Sequence, residues 1–468
     1  MWYIIAKNEV LLARRNQLFI ALTLITWLLL AVAGLGGYER TKNLRRQQQT
    51  ADNTLRHEWE EQEKNPHSAA HFGTWLFKPF TFLSLYDNGL NNFTGTTYRV
   101  EAHRQHEVNY STVQDTDSQL RFGELSPALV FQLLIPLLII VLAHGAVSKE
   151  RENNTLRLVS VQGGNTVGLL WGKILGNYFI MLLIVLPALL IILFGVWLFK
   201  EPALFTRSLA FCGAYLLYFF IITALTVLVS AWCIRSAGSL FISLGAWVIC
   251  CILLPRITTH WADQASPLPS RYAFNRKVQE GYRKGLDNDG GVMERWKRYE
   301  QQVLEKYKVD SISKLPVNFT GLSMQFNEDY NSRVYQKVAA ETDSLIRRQQ
   351  TMLEIAALFN PFLAIQQVSM GVSGTDYFHH LDFHQQARQY RDEFIRTLNI
   401  ELAQNGGPSN SFDYKLNAAY FKKSAAFHWQ LPPASKAINW HVLSWFSLAG
   451  WLQVIMLLIP ITAKKMTR

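Results

Sequence analysis

The sequence is short of the features on which most enzymes and soluble domains rely. Charged residues make up 17% of its 468 residues, whereas soluble domains carry about a quarter, so the composition leans toward the membrane class. There are four cysteines, Cys212, Cys233, Cys250 and Cys251, all within or at the edge of apolar runs, where cysteine behaves as a small hydrophobe. None falls in the two large polar regions, which excludes disulfides and a cysteine-based zinc site from them. A Walker A motif is missing. Its nearest match, Gly172-Lys173, has Val167 at the first glycine position and Ile174 in place of the hydroxyl residue, and it leads into an apolar run instead of following a strand. ATP hydrolysis therefore has to come from another subunit. The nucleophile elbow Gly-x-Ser-x-Gly is absent, and no apolar run carries the paired acidic residues of an intramembrane protease or proton relay. No catalytic residue is expected.

What the sequence does contain is apolar length. Hydrophobic residues reach 49% and the mean hydropathy is +0.04, the balance of a chain roughly half apolar helix and half polar domain. Six runs meet or approach the 18–25 residues needed to cross a bilayer as a helix. They cover about Leu18–Gly36, Pro127–Val147, Ile174–Leu198, Ser208–Trp232, Gly238–Leu254 and Trp440–Ile461. The first is too long for a signal-peptide core and is followed by Tyr38-Glu39-Arg40, not by small residues, so it reads as a span and not as a cleaved leader. Ahead of it, Met1–Arg15 has the apolar and basic faces of a helix lying in the membrane interface.

The formal net charge is +11, but the basic residues are scattered among polar segments and flank the apolar runs, which points to anionic lipid and not to nucleic acid. Lys7, Arg14, Arg15, Lys149, Arg151, Arg157, Lys173, Arg235, Lys464, Lys465 and Arg468 fall on one side of an even number of spans. By the positive-inside rule that side, with both chain ends, is the cytoplasm. The expected organisation is an interfacial helix and first span (1–36), an extracytoplasmic insertion (37–126), spans two to five (127–254) enclosing a loop at 148–166, a second insertion (255–439), and a last span with a basic tail (440–468).

In the first insertion a polar helical stretch, Thr41–Lys64, precedes an aromatic passage from Phe72 to Leu85, and Thr96–Val113 has β-forming residues. The second insertion reads as helices over Ser270–Leu286, Val292–Val309, Phe326–Ala356 and Tyr377–Gln404, divided by Asp287-Asn288-Asp289-Gly290-Gly291, Asn360-Pro361 and Asn405-Gly406-Gly407-Pro408. No internal repeat relates the segments. Asp376, His380 and His384 are spaced for one helix face and form a weak metal candidate, with a solvated polar face as the ordinary alternative and no metal expected; His103 and His106 merit less. Within the spans, Gln132, Thr223, Thr226, Ser230 and Ser243 are the polar side chains available to a translocation path, although Ser and Thr in spans more often serve packing.

The most informative segment is the loop after the second span, Ser148-Lys149-Glu150-Arg151-Glu152-Asn153-Asn154-Thr155-Leu156-Arg157-Leu158, continuing to Trp171-Gly172-Lys173. It resembles the Glu-Arg-x-x-Gly-Thr-Leu stretch that forms the coupling helix of ABC-2 type permeases, with Asn154 where glycine is usual; asparagine tolerates the left-handed turn. Leu156 and Leu158 would lodge in a groove of an ATPase, and Glu150, Arg151, Glu152 and Arg157 would fix the register. The stretch Ala69-Ala70-His71-Phe72-Gly73-Thr74, Pro267-Leu268-Pro269-Ser270-Arg271 and Asn360-Pro361-Phe362 resemble the DUF3526 group of these permeases. The resemblance implies a mainly α, six-span fold of the type V exporter kind in a bacterial inner membrane. It also implies a second permease chain, identical or related, and a separate ATPase that holds ATP and magnesium, with no cofactor on this chain. Three readings follow. The chain is an export permease; or it transmits force to a periplasmic or outer-membrane partner and passes no cargo; or it is a membrane receptor or scaffold with no ATPase.

Overall fold

Residues 1–108, 125–156, 164–287, 289–407 and 413–466 are described by the computed structural model. Among the described residues six helices are long and apolar enough to cross a membrane: Gln17–Glu60, Pro127–Glu152, Thr166–Leu198, Pro202–Trp232, Ser236–Ala265 and Val442–Met466, here spans 1 to 6. One large apolar cluster runs through spans 1 to 4 and span 6. Span 4 sits at its centre, 61% of its most apolar stretch buried, whereas spans 1 and 5 are 17% and 11% buried and turn most of their apolar surface outward. Six spans return the N-terminal helix Trp2–Arg14 and the C-terminus to one end of the bundle, the terminal face. The polar insertions stand on the opposite, far face.

Two spans differ from their hydropathy in an instructive way. Span 1 does not stop at Gly36. It continues unbroken to Glu60, 44 residues in all, because the Arg-, Gln- and Glu-rich stretch that follows has high helix propensity and nothing in it breaks the ladder. Span 5 likewise runs on to Ala265 through Pro255. A π-helical turn, Ile249–Leu253, immediately precedes that proline, and another, Val130–Leu134, precedes Pro136 in span 2. Proline cannot donate to the ladder; the wider turn absorbs the lost bond without breaking the helix.

On the far face the first insertion places a short helix, Pro66–Phe72, and a two-stranded antiparallel sheet. Its strands β1 (Thr74–Phe77) and β2 (Thr97–Val100) pair Thr74 with Val100 and Phe77 with Thr97. The β-forming stretch expected over 96–113 is thus a strand only at its start, and residues 109–113 lie outside the described region. The second insertion contributes helices Arg271–Lys284, Val292–Tyr307, Phe319–Phe359 and Tyr377–Asn405. The insertions share one core: Trp59, at the tip of the span 1 helix, packs against Phe72, Phe394 and Phe421.

The second insertion also enters the bundle. Helix Phe319–Phe359 descends to Asn360, whose side chain caps the next helix through Phe362 N (3.0 Å) and donates to the carbonyl of Cys250 in span 5 (2.7 Å). Helix Pro361–Ser373 then climbs back, with Leu363, Ile365 and Val368 in the bundle core. This helical hairpin fills the far half of the bundle beside spans 4 and 6.

Candidate functional site

At the terminal face the segment 148–156 is bound to spans 3, 4 and 5, and through Lys173 of span 3 it is linked to the N-terminal helix. Ser230 of span 4 receives the backbone N–H groups of Val147 and Ser148 at 3.1 Å each. The Arg151 guanidinium donates to the carbonyls of Ala231 (2.9 Å) and Cys233, which span 4 leaves unpaired at its end. Glu152 accepts from Ser236 N (3.0 Å) and Ser236 Oγ (2.8 Å) and so caps the start of span 5. Lys173, 3% exposed at the start of span 3, donates to Glu150 and, at 2.7 Å, to Glu9 of the N-terminal helix. That helix approaches because Gly172 and Gly176 have no side chain. A Cβ on Gly172 would stand 2.7 Å from Ile5, and one on Gly176 would stand 2.7 Å from Glu9. The Gly-Lys pair that imitates a phosphate loop is thus a seat for a helix.

Glu150, Arg151 and Glu152 are each hydrogen-bonded to the chain's own helices, where their charges satisfy helix ends and Lys173, while Glu152 also stays exposed. Leu156 is buried, 7% exposed. Asn154 does adopt the left-handed turn, with φ 58°. Lys149, Glu152, Asn153, Asn154 and Thr155 are the exposed members of the described part of the segment, and Arg157 and Leu158 lie outside the described residues.

Gln132, Thr223 and Thr226 of the spans are likewise used internally. Gln132 donates to Tyr215 OH (2.9 Å), and Tyr218 OH donates to the Gln132 carbonyl (3.2 Å). Thr223 and Thr226 return their hydroxyls to the carbonyls of Phe219 and Ile222. Thr226 and Ser243 border an apolar cavity of about 130 Å³ beside Cys250, Cys251 and Trp451.

At the far face an ionic network locks span 4, span 6 and the hairpin together. Arg207, near the start of span 4 and 2% exposed, donates to the carbonyls of Gly371 (3.3 Å), Val372 (3.1 Å) and Pro432 (2.5 Å). His379 Nε2 lies 3.2 Å from the same guanidinium and therefore accepts, leaving its Nδ1–H to donate to Asp376 at 2.6 Å. His441 has Asp376 on Nε2 (2.5 Å) and Glu354 on Nδ1 (2.7 Å). With a carboxylate facing each nitrogen, both must donate, so the ring is an imidazolium. Glu354 also accepts from the backbone and hydroxyl of Ser444 in span 6. Gly371 leaves room for the ring: a Cβ there would be 2.3 Å from His441 Cδ2. Two cations, Arg207 and His441, thus balance two anions, Asp376 and Glu354. Sequence reasoning missed this network, because Glu354 and Asp376 belong to a polar insertion and enter the bundle only through the hairpin.

The candidate triple Asp376, His380 and His384 is not brought together. Asp376 caps helix Tyr377–Asn405 through His379 N (2.8 Å) and turns to His379 and His441, while His384 Nε2 meets the carbonyl of His106 at 3.2 Å. Burial holds both rings neutral: His380 is pushed down to about 3, with Lys78 adding to the effect, and His384 to about 4, with Arg388 adding.

Residues 63–270 match the family described as ABC-2 family transporter protein, and residues 273–430 match a domain of unknown function, DUF3526. No curated protein and no solved structure matches the chain.

Two outcomes test these assignments. Lys173→Met leaves Glu9 and Glu150 without their partner and is expected to cost about 2–3 kcal/mol, allowing for the partial exposure of both carboxylates. The readouts are a lower Tm in detergent and protease cleavage within residues 1–15; an unchanged Tm with full protection would show that the helix is held by its apolar face alone. His380 and His384 make stability depend on acid. Their folded pKa values lie below the unfolded 6.5, so the unfolded chain takes up protons first, and stability is intact above pH 6.5 and lost as pH falls toward 4. At pH 5 each contributes about 2 kcal/mol of loss. Thermal melts from pH 7 to 5 should show this fall, and the double variant His380→Gln/His384→Gln should flatten it.

Proposed function

This chain belongs to the ABC-2 family of transporter proteins, as a multi-pass membrane subunit, and we propose that a separate ATPase drives it to export cargo across a bacterial inner membrane. The observation that carries this reading is the clamp at 148–156. A partner that pushes on Lys149, Asn153, Asn154 and Thr155 pushes on the ends of spans 2 to 5 and on the N-terminal helix together, through Ser230, Arg151, Glu152 and Lys173. A connector with no mechanical role would not need three neighbouring spans tied to it. In this reading the basic terminal face is cytoplasmic and the far face is extracytoplasmic. ATP and magnesium reside on the partner, and a second copy or a related chain completes the transporter.

The cargo that suits the shape is amphipathic. Between spans 1 and 3, in the far half of the bundle, lies an apolar groove of about 1190 Å³ bounded by Trp27, Leu30, Pro187, Phe194, Phe82 and Phe199. Phe82 and Phe199 end it against Arg45 and Glu201, which pair at 2.7 Å and line a pocket of about 630 Å³ in the far domain with Arg56, Trp59, Trp75 and Trp429. An apolar tail in the groove would put its polar head in the pocket. Such cargo needs no polar path through the spans, in accord with the internal use of Gln132, Thr223 and Ser230.

One observation favours a second reading, force transmission without cargo. The span 1 helix is continuous from the terminal face to the core of the far domain, 44 residues or about 66 Å. A movement at its base reaches Trp59 directly and could act on an envelope partner.

The test is to co-purify the chain from its native host and assay the eluate for ATPase activity, beside a variant carrying Lys149→Glu and Asn153→Arg. The expected outcome is a Walker-motif protein with the wild type and at least a tenfold loss of ATPase activity from the variant, with its Tm unchanged. If no ATPase accompanies the wild type under gentle extraction, the proposal fails. In proteoliposomes holding both subunits, ATP-dependent movement of a fluorescent short-chain phospholipid supports export. Movement of spin labels on the far domain without lipid transfer supports force transmission.

A further inference from the structure

A third cluster lies apart from both networks. His67 and His71 stand one turn apart on the helix Pro66–Phe72, and His103 meets them from the loop after β2. One ligand nitrogen from each ring lies within 4.8 Å of the other two. His67 Nε2 and His71 Nε2 are 3.2 Å apart. A hydrogen bond between neutral rings accounts for that separation, and so does a shared ion: two nitrogens about 2.0–2.1 Å from a tetrahedral metal are about 3.3 Å from each other.

The surroundings decide between them. His103 is in the left-handed region, with φ 64°, where a histidine rests only if its neighbours hold it. Glu328 does so, accepting from His103 N at 2.6 Å and lying 2.9 Å from His103 Nδ1. Glu328 is 3% exposed and is itself fixed by Arg391 at 2.6 Å. A buried carboxylate on Nδ1 sets both the tautomer and the direction of the ring and leaves Nε2 as the ligand atom; metal-binding histidines are oriented this way. A hydrogen-bonded pair of surface histidines requires neither the strained third residue nor its anchored carboxylate. His71 and His103 are exposed, so an ion has access from solvent and a coordination position remains for water or for a group brought by a partner.

We propose that His67, His71 and His103 form a three-histidine site for a borderline divalent cation of the zinc, copper and nickel class, with Glu328 as its positioning residue. An all-imidazole set suits those ions and not magnesium or calcium, which take oxygen ligands. The site joins the first insertion to helix Phe319–Phe359 of the second, so an ion in it would brace the far domain.

The test uses the full-length protein in detergent, with its affinity tag removed, stripped by chelator and titrated with cobalt(II) as a visible probe for zinc. One cobalt per chain with the intense absorption of tetrahedral coordination is expected. His71→Ala, at an exposed position where folding is not at stake, should weaken binding at least about a hundredfold, and Glu328→Gln about tenfold to a hundredfold. Absence of stoichiometric binding, a weak octahedral spectrum, or equal affinity in His71→Ala would each overturn the proposal.

Discussion

An arginine at the far end of the most deeply packed span sets the terms for everything around it. A guanidinium with almost no access to water must find acceptors inside the protein, since leaving it unpaired would cost several kcal/mol. Arg207 finds them in the carbonyls of Gly371 and Val372 in the last turn of the hairpin helix, where the intrahelical ladder runs out. That requirement draws the hairpin into the bundle. The hairpin brings Glu354 and Asp376, and these in turn require the cationic His441 at the head of span 6. The terminal end of span 4 solves the same problem with Ser230 and with the carbonyls that receive Arg151. The central helix is thus held at both ends by polar contacts and along its length by apolar packing, so it is suited to move as one piece.

Hydropathy and charge made the architecture legible. Apolar length identified all six spans, and the basic residues grouped both chain ends and the 148–166 loop on one face. Helix stop signals at Asn360-Pro361 and Asp287–Gly291 divided the second insertion correctly, because capping is a local interaction that sequence carries directly. What eluded sequence was determined by partners distant in the chain. The continuation of span 1 past Gly36 depends on a change from lipid to water that leaves the backbone ladder untouched, so a composition boundary was mistaken for a helix boundary. Strand β1 was hidden in an aromatic passage because its pairing with β2 is made across a connection of 19 residues, Lys78 to Thr96.

The candidate sites were less legible than the fold for the same reason. The segment 148–158 drew attention for its charges, but which of them face a partner and which face the protein depends on helix ends at Ala231 and Ser236, about eighty residues on. Lys173 stood out in the sequence only as a failed match to a phosphate motif and as one basic residue among several, because Glu9, which Gly172 and Gly176 bring against it, is 164 residues away. His380 and His384 have ligand spacing on a helix, yet that face is half-buried, with His384 against Tyr98 of β2 and the carbonyl of His106. His67 and His71 have the same spacing with an open face, and the loop carrying His103 supplies a third ring.

The unbroken passage of the span 1 helix from membrane to water ties the far domain to the bilayer itself. About 22 of its residues, or roughly 33 Å, extend beyond Tyr38. A transmembrane helix answers a change in hydrocarbon thickness by changing its tilt. With no hinge at the surface, a change of about 10° swings the Trp59 end sideways by roughly 6 Å, the width of a side-chain layer. Lipid composition therefore enters the energy balance of the far domain, and the packing around Trp59 is where that contribution is felt.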